Sequence, residues 1–156
     1  MLWQIVTFFL ITTSLAIEKI NVVDGDSLFI GDREIRLSGI DAPEYRQTCY
    51  DSSGKIYPCG KQSAQALRNM IKKRHIKCKM IVKDRYNREV SVCRSGNINL
   101  NKQMVKDGWA VAYTRYTKAY KEAEKEAKIH KRGIWQGRFL MPEYYRILQR
   151  EINNSH

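Results

Sequence analysis

The sequence predicts an α+β fold in which a small five-stranded barrel is followed by helices. Three observations carry this. Mostly apolar, β-branched runs crowd the chain before residue 38 and return between residues 76 and 94. Runs of helical period occupy 62–74, 99–107 and 117–132. Turn residues separate the runs. Strands first, then a helix, a hairpin and more helices is the order of an α+β domain, not of alternating β-α units.

Taken in order, Ile17–Val23 reads as the first strand, and Asp24-Gly25-Asp26 interrupts it. Ser27–Ile30 resumes extended, Gly31-Asp32 turns, and Glu34–Leu37 returns as a hairpin. Gln62–Arg74 reads as a helix with Ala64, Leu67 and Ile71 on its apolar face, and the cations Lys72-Lys73-Arg74 suit its C-terminal dipole. Ile76–Val82 and Glu89–Arg94 form a second hairpin around Arg85-Tyr86-Asn87. Asn99–Asp107 is a shorter helix with Leu100 and Met104 on one face, closed by Gly108. Thr117–Arg132 is a third, lined by Ala119, Ala123 and Ala127 and ended by Gly133. A last helix starts near Pro142 and carries Tyr145, Ile147 and Leu148. The strand count fits a five-stranded barrel of the oligonucleotide-binding type.

A chain of 156 residues suits one domain, and 43% apolar residues can supply its core. Its 28 Lys+Arg against 16 Asp+Glu give a formal charge of +12 and a pI near 9.7. Such a charge favours a polyanionic partner, because each neutralised phosphate releases counterions. Nucleic acid is the first candidate and an anionic membrane surface the second. A basic surface that only maintains solubility is the third reading.

Met1 to Ala16 contains no charged side chain and holds the run Ile5-Val6-Thr7-Phe8-Phe9-Leu10-Ile11. Ser14-Leu15-Ala16 ends it on small residues, so residues 1–16 read as a cleaved export signal and Ile17 as the mature N-terminus. The segment lacks the usual Lys or Arg near its start and is short for a membrane span. An uncleaved N-terminal anchor is the alternative. Four cysteines, an even number, suit disulfides outside the cytoplasm. Folding the second hairpin sets Cys78 opposite Cys93 and leaves Cys49 to pair with Cys59 across a short loop. A zinc site is the competing reading, and the spacing offers it no C-x-x-C pair.

Asp24-Gly25-Asp26 alone is an ordinary turn. Arg36-Leu37-Ser38-Gly39-Ile40-Asp41-Ala42-Pro43-Glu44 changes its meaning. Alternation sends Ile35 and Leu37 to one face and Arg36 to the other. Asp41 and Glu44 follow just past the strand, in a segment stiffened by Pro43. An acidic cluster is out of character in so basic a chain, and hard carboxylate and carbonyl oxygens suit calcium. Asp84-Arg85-Tyr86-Asn87-Arg88 reads first as a solvated turn, but Arg88 at the start of a strand can offer two parallel donors to a phosphate. Together these groups suit phosphoryl transfer: a cation and two arginines for phosphate charge, a carboxylate for water, and no protein nucleophile. His75, His130 and His156 lie apart from these motifs and receive no role.

Val23-Asp24-Gly25-Asp26-Ser27, Arg36-Leu37, Ile40-Asp41-Ala42-Pro43-Glu44, Asp84-Arg85-Tyr86-Asn87-Arg88 and Gly133-Ile134-Trp135 resemble, in order and spacing, the thermonuclease (staphylococcal nuclease-like) family, in its exported, disulfide-bearing bacterial type. The resemblance covers Ile17 to Trp135. It divides the chain into a signal at 1–16, a nuclease domain at 17–135 and a C-terminal extension at 136–156. It implies an oligonucleotide-binding barrel with three helices, and calcium-dependent cleavage of the 5′ P–O bond in DNA and RNA with little base specificity. It implies that Asp26, Asp41 and the backbone carbonyl of Ala42 hold calcium, with Asp24 in an outer shell. Ala42 stands where many relatives have Thr, a change a carbonyl ligand survives. Glu44 is similar to the residue that activates water, and Arg36 and Arg88 to the phosphate-binding arginines. Tyr113 and Tyr116 resemble aromatic positions lining the nucleotide groove, with core packing as the other reading. The loop Tyr45–Gly60 is placed to shape access, and Phe139, Met141 and Tyr145 either pack the tail onto the barrel or leave it a basic arm.

The expected product is thus a secreted or periplasmic monomer acting on nucleic acid, single strands preferred, with no stable membrane association after signal cleavage. A non-catalytic nucleic-acid-binding module of the same fold is the alternative.

Overall fold

A computed structural model describes residues 18–71 and 75–155 of the chain. The expected export signal at 1–16 and the cations Lys72-Lys73-Arg74 lie outside the described residues.

The first strands are β1 (Ile20–Val22), β2 (Ser27–Ile30) and β3 (Arg33–Leu37), an antiparallel meander turned at Asp24–Asp26 and Gly31-Asp32. The short β4 (Ile40–Asp41) follows, then a small hairpin of β5 (Cys49–Tyr50) and β6 (Ile56–Tyr57). Helix α1 spans Cys59–Ile71, β7 spans Ile76–Lys83, β8 spans Glu89–Ser95 and β9 spans Ile98–Asn99. Helix α2 (Leu100–Lys106), β10 (Val111–Ala112), helix α3 (Lys121–Ile129), a 3₁₀ turn at Gly133–Gln136 and helix α4 (Pro142–Asn154) complete the chain.

The five expected strands align in the order β1-β2-β3-β8-β7, and β9 adds to β8. The α+β fold of oligonucleotide-binding type is therefore present, and the C-terminal extension is helical as expected. The β3–β8 pairing is parallel, matching Ile35 with Glu89 and Arg36 with Val90. A parallel neighbour needs a crossover, and the segment containing α1 and β7 supplies it. The β7–β8 register sets Cys78 opposite Cys93, and one slip between Met80 and Val82 marks a bulge.

Leu28, Ile35, Leu37 and Ile40 from the strands meet Ala64, Leu67 and Ile71 of α1 and Leu100, Met104 and Val105 of α2 in one buried cluster. The α1 residues are the three that the helical period assigns to its apolar face. Asn101 is also fully buried. Its Nδ2 donates to the carbonyls of Ser38, 2.9 Å, and Ser91, 3.1 Å, while its Oδ1 accepts the Cys93 N–H at 3.0 Å. It thereby ties α2 to both β8 and the turn that leaves β3.

Three helix boundaries among the described residues differ from the sequence reading by three residues or more. Helix α1 starts at Cys59, not Gln62, directly after Pro58. Helix α3 starts at Lys121, not Thr117: the Thr117 hydroxyl accepts the Ala119 N–H at 3.1 Å, a local bond that competes with the helix. Ala119 is accordingly exposed, while Ala123 and Ala127 are buried as expected. Helix α3 ends at Ile129, not Arg132, because Lys131 is left-handed, with φ 51°, and the Arg132 N–H returns to the Ala127 carbonyl.

Both disulfides form in the expected pairing, Cys49–Cys59 and Cys78–Cys93, with Cα atoms 5.6 Å and 4.1 Å apart. All four cysteines are thus consumed, so they are not available to zinc. No helix among the described residues is long and apolar enough to cross a membrane.

Candidate active site

The site begins at the turn entering β2. The Asp24 Oδ1 accepts the Asp26 N–H at 2.9 Å, an Asx turn, and the Asp26 carbonyl accepts the Leu37 N–H at 2.7 Å. Gly25 permits this turn to lie on α1, since a Cβ there would sit 1.8 Å from Ser63 Oγ. Asp26 is fully buried. Its Oδ2 accepts the Ala42 N–H at 2.6 Å, and Ser27 Oγ donates to its Oδ1 at 3.1 Å.

Arg36 projects from β3 on the face opposite buried Ile35 and Leu37, as alternation requires. One guanidinium bridges two carboxylates: Nη1 donates to Asp26 Oδ1, and Nη2 to Asp41 Oδ1 at 3.0 Å. Asp41 is buried in β4, held opposite Val111 of β10. Glu44 is half-buried past Pro43, and its N–H donates to the Gln47 Oε1 at 3.2 Å. Gly60 lets α1 begin against this segment, because a Cβ would lie 1.8 Å from the Glu44 carbonyl oxygen.

A further arginine, absent from the sequence reading, enters from α4. Arg146 Nη1 donates to Asp41 Oδ1 at 2.8 Å and to Glu44 Oε1 at 2.9 Å, and its Nη2 donates to Asp41 Oδ2 at 3.0 Å. The approach is prepared by Gln47, fully buried, whose Nε2 donates to the Leu140 carbonyl at 2.7 Å just before the helix. Arg146 lies 105 residues from Asp41 in sequence, one basic residue among 28, and no local motif marks it.

Burial pushes the Asp26 carboxyl up to about 8, against the opposing pull of Arg36. Burial alone would lower the Arg36 guanidinium, but Asp26 and Asp41 hold it above its ordinary value. The same balance applies to Arg146: burial lowers it, and its bonds to Asp41 and Glu44 raise it further. The two directions at Asp26 and Arg36 agree physically. One guanidinium shared between two buried aspartates stays charged but leaves the deeper carboxylate short of positive charge.

Four carboxylates (Asp24, Asp26, Asp41, Glu44) face two guanidinia (Arg36, Arg146), a formal deficit of two positive charges. That deficit matches one divalent ion, and hard oxygens are the donors calcium takes. Among the described residues no three His, Cys, Asp or Glu side chains are grouped to hold a metal ion, and the carboxylates are engaged by guanidinia instead: Arg36 joins Asp26 to Asp41, and Arg146 joins Asp41 to Glu44. The residues fit calcium in donor type and charge, with Arg146 engaged on Asp41.

Arg88 stands apart from this cluster. Its Nε donates to Asp84 Oδ2 at 2.8 Å, and its guanidinium lies 5.5 Å from the Tyr86 ring centre. Among the described residues no ion pair joins it to Asp26, Asp41 or Glu44. Tyr113 and Tyr116 form a tilted pair with ring centres 5.1 Å apart. Tyr116 is 78% exposed, which places it on the surface and not in the core. The Tyr113 hydroxyl donates to Glu143 of α4 at 3.4 Å. In the tail, Phe139 packs edge-on against Trp135, whereas Met141 is exposed and Tyr145 half-buried.

Residues 34–137 match the family described as staphylococcal nuclease homologue. The chain is 36% identical over 123 residues to a succinoglycan biosynthesis protein, ExoI, of Rhizobium meliloti, covering 77% of this chain and 64% of that protein. It is 31% identical over 123 residues to an uncharacterized endonuclease of Haemophilus influenzae, covering 74% and 64%. It is 32% identical over 113 residues to a rice protein, Oryza sativa subsp. japonica, named for a staphylococcal-like nuclease, covering 71% and 31%. The chain thus spans between about a third and two thirds of the length of these relatives.

Proposed function

The chain belongs to the family of staphylococcal nuclease homologues, and from that premise we propose that it is a calcium-dependent phosphodiesterase cutting DNA and RNA. The observation that carries this reading is the convergence of Asp26, Asp41 and Glu44 on arginine side chains at one end of β3.

Asp26, Asp41 and the Ala42 carbonyl would hold calcium, with Asp24 in an outer shell, and the ion would supply charge neutralisation at the phosphate. Arg36 donates to phosphate oxygens and stabilises the charge that builds on them. Arg88 joins it after exchanging its Asp84 contact for a phosphate. Glu44 accepts a proton from the attacking water. The water oxygen bonds to phosphorus, the P–O5′ bond breaks, and the 5′ oxygen leaves with a proton from solvent. The products are a 3′-phosphate and a 5′-hydroxyl. Tyr113 and Tyr116 present ring faces to bases, which gives contact without reading base edges, so base specificity is low. A splayed strand meets such a surface more readily than a stiff duplex, so single strands are the better substrate. The two disulfides support work outside the cytoplasm, in the medium or the periplasm.

The test is hydrolysis of single-stranded DNA with calcium or with excess chelator, beside Arg36→Ala. Cleavage that needs calcium and disappears in the variant is the expected result. Binding without cleavage under every divalent ion would instead make the chain a non-catalytic nucleic-acid-binding module.

A further inference from the structure

Helix α4 does more than deliver Arg146. An open groove of about 340 Å³ runs between it and the segment that follows Pro43. Glu44 and Arg146 are among its lining residues, so the groove adjoins the candidate active site. Tyr45 and Arg46 make the loop wall; Tyr145, Gln149 and Arg150 make the helix wall. Arg146 and Arg150 are one helical turn apart and share a face.

The charges in this groove are unequal in their satisfaction. Arg146 is neutralised by Asp41 and Glu44. Arg46 and Arg150 are both exposed, and neither has an ion-pair partner among the described residues. Two unneutralised guanidiniums therefore line opposite walls of one groove, with tyrosines beside them. An anion seated between these two exposed cations would relieve their mutual repulsion. Tyr45 is 42% exposed and lines the same space. Guanidiniums tracking a backbone beside aromatic faces are the chemistry of single-strand binding.

We infer that the groove between Tyr45-Arg46 and α4 is a nucleotide subsite, holding the phosphodiester next to the one being cut on Arg46 and Arg150 and its base against Tyr45 or Tyr145. It rests on the nuclease reading of the adjoining site. The subsite belongs to the C-terminal extension, since three of its residues, Tyr145, Gln149 and Arg150, lie beyond the family match at 34–137. It extends the substrate path away from Tyr113 and Tyr116, which do not line this groove.

The experiment compares wild type with Arg46→Ala/Arg150→Ala on single-stranded oligonucleotides of increasing length, in calcium, reading kcat/KM and its salt dependence. A control, Lys121→Ala/Lys125→Ala, removes the same charge from exposed positions of α3. In wild type, kcat/KM should rise as the strand becomes long enough to reach the groove. The groove variant should lose about tenfold on long strands and little on the shortest. Its salt slope should fall by about 0.7, the contribution of the one phosphodiester the two arginines hold. The control should keep the wild-type length dependence. A groove variant that follows wild type at every length, or a control that loses as much, overturns the subsite and leaves the nuclease standing. A variant that loses equally at every length also overturns it. Wild-type protein that cleaves no strand overturns the nuclease reading, and the subsite with it.

Discussion

Asp41 receives two guanidiniums, Arg36 on Oδ1 and Arg146 on both oxygens, while Asp26 receives one and is wholly buried. On the proposed reading, calcium at Asp41 would have to displace a cation that the chain itself supplies. Arg146→Gln should tighten calcium binding by about tenfold, the factor for one charge-assisted contact near 1.4 kcal/mol. Calorimetric titration without substrate reads this directly, and an unchanged Kd would mean Arg146 leaves Asp41 at no cost. The Asp26 carboxyl, raised by burial to about 8, gives a pH dependence of definite sign. A carboxyl whose folded value lies above its unfolded one favours the fold most below the unfolded value, near 4, and loses that contribution as pH rises toward about 8. Chelated protein should therefore lose this part of its stability between those limits. Calcium needs the ionised form, so its binding at pH 6 should release protons and tighten as pH rises toward 8. Calorimetry in two buffers of different ionisation enthalpy counts the protons, and a count of zero would show Asp26 already ionised. Glu44→Gln should retain strand binding and lose about a hundredfold or more in kcat, the usual contribution of a positioned base. Near-normal turnover would remove Glu44 from the mechanism.

At the scale of elements, β1, β2, β3, β7, β8, α1, α2 and the hairpin pairing of Cys78 with Cys93 were legible because each follows from local period or turn chemistry, whereas the two-residue strands β4, β5, β6, β9 and β10 are too short to show a period. Helix α3 was overextended because a run rich in Ala, Glu and Lys keeps helical composition through Thr117 and Arg132. A side-chain bond at one end and a left-handed Lys131 at the other stop it. The site was legible where its groups are close in sequence, from Asp24 to Glu44. Arg146 was not, because its meeting with Asp41 is created by Gln47 fastening Leu140 and by the direction in which α4 then runs. Asn101 was hidden for the same reason: its helix carried Leu100 and Met104, and nothing local says that a polar neighbour faces inward. Its three bonds join α2, β8 and Ser38, three residues before Asp41. Asn101→Ala leaves the Cys93 N–H and the Ser38 carbonyl without the amide, while the Ser91 carbonyl keeps the Ser38 N–H at 2.8 Å, and should cost about 2–4 kcal/mol in denaturant unfolding. A loss within about 0.5 kcal/mol, the range of ordinary surface changes, would mean water replaces the amide fully.

For the whole molecule, charge sets two opposing responses to one variable. A formal +12 on 156 residues repels itself in the folded state and attracts a polyanion. Most ion pairs recorded outside the site, such as Arg33–Glu89 and Lys128–Glu124, are exposed and worth little, so they do not offset the excess. Added salt shortens the screening length from about 30 Å at 0.01 M to about 10 Å at 0.1 M. Self-repulsion across the domain should fade over that range, whereas the buried contacts of Asp26 and Asp41 are screened much less. Metal-free protein should therefore melt at a higher temperature as sodium chloride is raised. Affinity for single-stranded DNA should fall over the same range, linearly in log salt, because counterion release is lost. Thermal melting and anisotropy on one preparation give both signs. A melting temperature that falls with salt would show that favourable surface pairs outweigh the excess charge. An affinity indifferent to salt would show that the basic surface plays no part in holding the strand.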